Sequence, residues 1–269
     1  MILRNIAFTP HQPFLENNPN YYQYRPQLGD PFYGVVWEVY QVDHLNVQKS
    51  LAFPDISADF MIFYSKNNMS CYLMSGTKDI RIMTDFNFFN DVEMIFGVRF
   101  CSGALGNLFD DVTTVGENVI DGKEALKNGD ETMHRLFIAK TFQERWNILK
   151  EYLFKRLSTD YVVDPLISFV TNHIIEHQGR ITIKDLEPLT GYSQRYLRKR
   201  IHEGIGVSIK TFCNLTQFQW SYHYSQQIDI HIKLTELAHQ SGYYDQSHMN
   251  NCYKKLTGLL PRDAIVLYK

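Results

Sequence analysis

Apolar residues recur at helical spacing through the second half of the chain and in short, nearly continuous runs through the first half. In 245–256, Met249, Cys252, Tyr253 and Leu256 repeat at i, i+3, i+4 and i+7, which predicts a helix with one apolar face. Gln246, Ser247, His248, Asn250 and Asn251 are left on its open side. Just upstream, 235–240 predicts a short helix that turns Leu237 and Ala238 inward, and Gly242 follows where a tight turn needs positive φ. Together these predict a helix-turn-helix. The span 208–227 predicts a helix of about 30 Å at ~1.5 Å per residue, burying Phe212, Leu215, Trp220 and Tyr224. Before it, 165–178 turns Leu166, Phe169, Val170, His173 and Ile174 inward and stops at Gly179. Asp164 and Pro165 form the N-cap and first turn of that helix.

The first half changes period. Residues 32–40, 60–64, 71–74 and 94–100 are short and rich in β-branched and aromatic side chains, and they read as strands. Turn signals stand between them: N-N-P-N at 17–20, L-G-D-P at 28–31, S-K-N-N at 65–68 and S-G-T-K-D at 75–79. The expected class is α+β, with a β-rich N-terminal domain (sandwich or small barrel) over 1–130, a helical connector over 131–164 and an all-α domain over 165–269. Within the connector, Thr141 and Glu144 have the form of a capping box opening a helix to about residue 157. Its stripe of Phe142, Arg145, Leu149, Tyr152, Leu153 and Arg156 packs either on the β domain or on a second copy of the chain. Residues 158–163 read as a linker.

The helix-turn-helix grammar occurs twice. Leu186, Gly191 and Tyr192 recur as Leu237, Gly242 and Tyr243 at an offset of 51, and Leu197, Ile201 and Gly206 recur as Met249, Tyr253 and Gly258 at an offset of 52. The second copy therefore carries one extra residue at its turn. Polar side chains on the open side of a single helix are usually only solvated. A duplicated unit within one compact region instead supplies two readers on one polypeptide.

The stretches L-E-P-L-T-G-Y-S-Q-R-Y-L-R-K-R-I-H-E-G-I-G-V-S and G-Y-Y-D-Q-S-H-M-N-N-C-Y-K-K-L-T-G-L-L-P give the region 165–268 a resemblance to the DNA-binding domain of AraC-type transcription regulators. Matched to that pattern, Arg195, Arg198 and Lys199 are implied base contacts beside Gln194, each Arg with guanine as its partner. In the second reader Gln246, Ser247, His248, Asn250 and Asn251 occupy the base-reading positions, with Lys254 and Lys255 placed for phosphates. The chain departs from the family in four places. Glu187 stands where Ala is usual, and Pro188 after it predicts an irregular helix. Asn251 stands where Arg is common, and Met249 and Tyr253 replace Phe. The resemblance implies double-stranded DNA and RNA polymerase as partners, activation as the usual mode, a bacterial source and a homodimer as an option. Shorter segments, P-D-I-S-A-D-F-M-I-F at 54–63 and G-V-R-F-C-S-G at 97–103, resemble a sensor domain of some such regulators, which implies a small-molecule or protein effector.

Composition refines this picture in three respects. A net charge of −2 does not announce a nucleic-acid binder, but residues 160–269 carry twelve Lys and Arg against ten Asp and Glu while 1–159 carry fifteen against nineteen. The acidity belongs to the first half, and Arg195, Arg198, Lys199 and Arg200 crowd one helix. Cys71, Cys101, Cys213 and Cys252 lack metal or redox spacing and read as buried small apolar residues. No apolar run approaches the ~18 residues of a membrane span and the N-terminus lacks a signal-peptide core, so a cytoplasmic location without membrane contact is expected. No nucleophile, phosphate-loop, dinucleotide or metal motif is present, so neither catalysis, metal nor cofactor is expected. Arg99, inside an apolar strand, needs a partner: it is either an effector-binding cation or one half of an ion pair with Asp55 or Asp59. The functional expectation is a DNA-binding regulator under the control of a sensor domain. A protein-interaction module tethered to DNA is the alternative.

Overall fold

The structure, a computed structural model, describes residues 10–44, 52–66, 68–75, 91–105, 108, 120–126, 129–159, 163–227 and 233–267. Residues 76–79 of the expected turn and 160–162 of the expected linker lie outside these residues, while 158 and 159 belong to a helix. After a four-residue helix α1 (Pro13–Glu16), six strands follow: β1 (Tyr21–Tyr24), β2 (Val36–Asp43), β3 (Ala58–Tyr64), β4 (Met69–Ser75), β5 (Met94–Phe100) and β6 (Ile120–Asp121). They form one antiparallel sheet in the order β1-β2-β5-β3-β4-β6. The β-rich expectation holds for this half. The strand expected at 32–40 begins four residues later, because Phe32 to Val35 form a hydrogen-bonded turn and Gly34 has φ of 79°.

Both faces of the sheet are buried, which explains why its strands read as continuous apolar runs rather than alternating ones. One face, with Val39, Phe60, Ile62, Phe96 and Val98, packs under α3 (Asp130–Ile138) and α4 (Phe142–Thr159) after the short α2 (Gly122–Ala125). α4 lays Trp146, Leu149 and Leu153 on that face, and its capping box closes as expected, with Glu144 N–H on Thr141 at 3.2 Å and Thr141 N–H on Glu144 at 3.1 Å. The stripe of the connector is thus covered within the chain. Arg145 within it is buried, donating to Gln41 at 2.9 Å and to the Ala139 carbonyl at 2.7 Å. α3 was not legible as a helix, since the polar, glycine-punctuated run before it masks Met133 and Leu136.

The opposite face carries a row of charge. Register places Glu38, Arg99 and Asp59 side by side on β2, β5 and β3. Arg99 is 2% exposed and pairs with Glu38 at 2.5 Å and Asp59 at 3.3 Å, while Arg25 reaches the second Glu38 oxygen at 3.1 Å. In the next row Tyr40 lies over Gly97, where any side chain would meet its ring, and donates to Asp59 at 2.9 Å. Burial raises the Asp59 carboxyl above its ordinary value, opposed by Arg99 and assisted by Asp55. Arg99 itself is held ionised by these carboxylates. The two shifts agree physically: carboxylates outnumber the cation, so a surplus proton goes to Asp59. Arg99 therefore sits in an ion pair with Asp59, as one of the two sequence readings had it, with Glu38 as a further partner.

The helical half contains α5 (Pro165–Glu176), α6 (Ile183–Thr190), α7 (Gln194–Ile205), α8 (Ile209–Gln227), α9 (Leu234–Gln240), α10 (Gln246–Thr257) and α11 (Pro261–Val266). α5 buries Ile167, Val170 and Ile174, but Phe169 is exposed and stacks on His173 at 5.6 Å, contrary to the expected inward face. Val170 and Ile174 turn inward as expected, joined by Ile167, Thr171 and Ile175, while Leu166 and His173 are half-buried. The apolar cluster of the sheet continues through Ile167 into Leu186, Leu197 and Phe212. A second cluster of Phe218, Tyr222, Leu237, Met249 and Tyr253 includes one residue from the first half, Phe53.

Phe53 meets Phe218 and Tyr222 edge-on at 5.7 and 4.8 Å. Its backbone is held from below by Gln12, whose Oε1 accepts from Phe53 N–H at 3.0 Å and whose Nε2 donates to Asp55 at 2.8 Å. On α8, Gln219 accepts from His11 N–H at 2.8 Å and donates to the Pro54 carbonyl at 2.9 Å. His11 Nε2 and His223 Nδ1 are hydrogen-bonded, with the rings stacked at 4.6 Å. Outward from them, Gln227 Nε2 lies 2.7 Å from His223 Nε2 and Glu16 lies 2.8 Å from His11 Nδ1. One proton between the facing nitrogens completes this contact; two cations would set N–H against N–H.

Burial and then the neighbouring His11 lower the His223 imidazole below its ordinary value, against Glu16. The unfolded chain thus binds this proton more readily than the folded one. The contribution of the contact is complete above the ordinary imidazole value and is lost as pH falls through the lowered one. Melting temperatures taken between about pH 8 and about pH 5.5 are expected to fall more steeply for the wild type than for His223→Gln. Parallel curves would contradict this assignment.

Candidate nucleic-acid interface

The first reader is α6 and α7. Asp185 closes a capping box on Thr182, accepting from its N–H at 2.8 Å and its hydroxyl at 2.7 Å, and these bonds lower the Asp185 carboxyl. Pro188 does not make α6 irregular. The helix has eight residues, and the carbonyl deprived of a partner belongs to Lys184, an exposed position open to solvent. Gly191 ends α6 at φ of 73°, and Ser193 caps α7 by accepting from Tyr196 N–H. Leu197 and Ile201 are buried, which leaves Arg195, Arg198 and Lys199 exposed as expected.

Three neighbours behave differently from the expectation. Arg200 turns away from the open face and pairs with Asp164 at 2.5 Å, whose other oxygen caps α5 at Leu166 and Ile167. It locks α7 to α5. Gln194 is half-buried and committed to Glu187, so it is not a free base reader. Tyr196 is exposed and stacks on Tyr192 at 4.8 Å rather than packing against a helix.

The second reader is α9 and α10. Gly242, φ 76°, makes the turn, and Asp245 caps α10 by accepting from His248 N–H at 2.7 Å. Met249 and Tyr253 are buried, the Tyr253 hydroxyl meeting Ser221 of α8 at 2.8 Å. Ser247, His248, Asn251, Lys254 and Lys255 are exposed, and Gln246 is half-buried. His248 Nδ1 accepts from Tyr244 N–H at 3.3 Å, so the neutral ring carries its proton on Nε2 and presents a donor outward. Asn250 departs from the expected outward set. It flanks the Met249–Tyr253 stripe, and its Oδ1 is buried with no hydrogen-bond partner. The residue inserted between the copies is Tyr244, 91% exposed at the turn. Tyr244 was not singled out from sequence, although the change of offset from 51 to 52 marks its place.

α8 joins the readers. Phe212 and Leu215 enter the first cluster, Phe218 and Tyr222 the second, so each reader is packed on its own end of one helix. At ~1.5 Å per residue the helix is about 28 Å long, close to the ~34 Å repeat between successive major grooves on one face of DNA. Among the described residues no helix is long and apolar enough to cross a membrane, and no three His, Cys, Asp or Glu converge as metal ligands.

No family model matches the chain, and no curated protein matches it. Among solved structures it is similar to the C-terminal domain of AraT, a response regulator from Geobacillus stearothermophilus, at 19% identity over 38% of this chain and 84% of that one, with a TM-score of 0.35. The xylose-binding transcription activator xylR matches at 18% identity over 46% of this chain and 38% of that one, TM-score 0.34. ToxT from Vibrio cholerae O395 matches at 12% identity over 93% and 97% of the two chains, TM-score 0.42. At such values the site rests on its own geometry.

Proposed function

We propose that the chain is a sequence-specific DNA-binding transcription regulator of the AraC type, an activator that places α7 and α10 in successive major grooves. In this reading residues 165–269 bind DNA, 131–164 connect, and 1–130 receive a small-molecule or protein effector. The observation that carries it is the pair of capped, glycine-stopped recognition helices with exposed polar faces, held at the two ends of α8. Arg195, Arg198 and Lys199 read bases in the first groove, and Ser247, His248 and Asn251 in the second, while Lys254 and Lys255 neutralise phosphates.

Selection of random duplex DNA on the full-length chain is the test, and two half-elements about one turn apart are the expected result. On the selected site Arg198→Ala is expected to cost about 1–3 kcal/mol and to relax preference at one base pair. Lys255→Ala is expected to weaken all sequences alike and to flatten the salt dependence. Equal loss on selected and random DNA for Arg198→Ala would remove the base-contact assignment.

A further inference from the structure

Glu187 is an acidic residue on the supporting helix of a reader that must approach polyanionic DNA. Its place is explained by what it holds. One carboxylate oxygen accepts from Gln194 N–H at 3.0 Å and the other from Gln194 Nε2 at 2.7 Å. The Gln194 amide is thereby oriented, with Oε1 facing Arg198 Nη2 at 3.2 Å. The reverse orientation is excluded at both ends, since it would set Oε1 against a carboxylate and an NH₂ against a guanidinium. The hydrogen bonds from Gln194, with Arg198 and Lys184 nearby, hold the Glu187 carboxyl below its ordinary value, so it stays ionised in neutral solution.

The second copy supplies a comparison within the chain. Glu187 corresponds to Ala238, Gln194 to Gln246 and Arg198 to Asn250 at the offsets of the repeat. Ala238 is buried and offers no acceptor, and Asn250 turns its oxygen inward. The relay belongs to the first reader.

We infer that Glu187 is a positioning residue for base recognition, fixing the Arg198 guanidinium through Gln194 so that its remaining donors meet one guanine. This rests on the DNA-binding reading above. Gln194 is withdrawn from base contact by the same bonds, and the preference at that base pair is set by a side chain that never touches DNA. An arginine free to swing over several rotamers can satisfy a phosphate or a neighbouring base; one tied at an edge discriminates.

The test is equilibrium binding of the full chain to the selected duplex, to single-base-pair variants of it and to random duplex. Glu187→Ala is expected to reduce preference at the Arg198 base pair about threefold to tenfold while leaving preference at the other pairs intact. Removing a negative charge from the DNA-facing side should hold or raise affinity for random duplex, so the two effects have opposite signs. Glu187→Gln, with one acceptor oxygen, should fall between. In an Arg198→Ala background Glu187→Ala should change preference no further. Equal loss at every base pair, or additive losses in the double variant, would overturn the relay and leave Glu187 with a merely structural role. Arg198→Ala without effect on preference at any pair would instead sink the DNA-reading assignment itself, and the two failures are therefore told apart.

Discussion

Arg99→Met is expected to cost about 3–5 kcal/mol of folding stability, among the largest effects of any single substitution in the chain. The argument lies in what remains. Glu38 and Asp59 are buried on either side of Arg99 in the sheet, Asp55 lies behind Ser57, and among the described residues only the exposed Arg25 would still face Glu38. Methionine fills much of the space but leaves these carboxylates without the buried cation. Protonation of Asp59, whose carboxyl already lies above its ordinary value, is the cheapest relief, so the loss should be smaller in mild acid than at neutral pH. Urea unfolding at both pH values reads this directly. A midpoint shift worth less than about 1 kcal/mol at neutral pH would mean that water reaches the row. Because Arg99 is already paired on both sides, an anionic effector that engages it would compete with Glu38 and Asp59 for its guanidinium.

Phe53→Ala is expected to cost a similar amount, about 3–5 kcal/mol, by opening a cavity between Phe218 and Tyr222. The loss should appear in an unusual place. Phe53 is a residue of the β-rich half, yet its neighbours are the core of the second reader, so hydrogen exchange should accelerate in α9 and α10 more than in the sheet. DNA binding should weaken at the half-element read by α10 and persist at the one read by α7. Uniform acceleration across the sheet, with α10 unaffected, would show that the second reader stands without this side chain.

The two readers were legible in the sequence because their determinants are local. Thr182 with Asp185, Ser193, Asp245 and the glycines 191, 206, 242 and 258 cap and stop the helices within a few residues of where they stand. The strands at 60–64, 71–74 and 94–100 were likewise found, the first two residues short and the second three. Their order in the sheet was not: Asp59 was named as a partner for Arg99, but Glu38 comes from a strand far away in the chain and joins the row only through register. Gln194 and Asn250 were assigned outward because helical periodicity fixes a direction but not a partner: a carboxylate on the preceding helix recruits the first, and the edge of the buried stripe takes in the second. Glu187 read as a departure from a family pattern, and only the distances to Gln194 turn it into a device. Phe53 had no periodic context at all.

The grip of the first half on α8 falls at Gln219, Tyr222 and His223, just past the midpoint of a 19-residue helix that carries a reader at each end. The first-reader end of the same helix is tied to the first half as well, through the cluster that runs from the sheet by way of Ile167 to Phe212. If the chain reads DNA as proposed, the distance between its two readers is held by a doubly anchored strut, and a change at residues 10–12 or 53–54 is expected to show first in the half-element spacing that the chain tolerates.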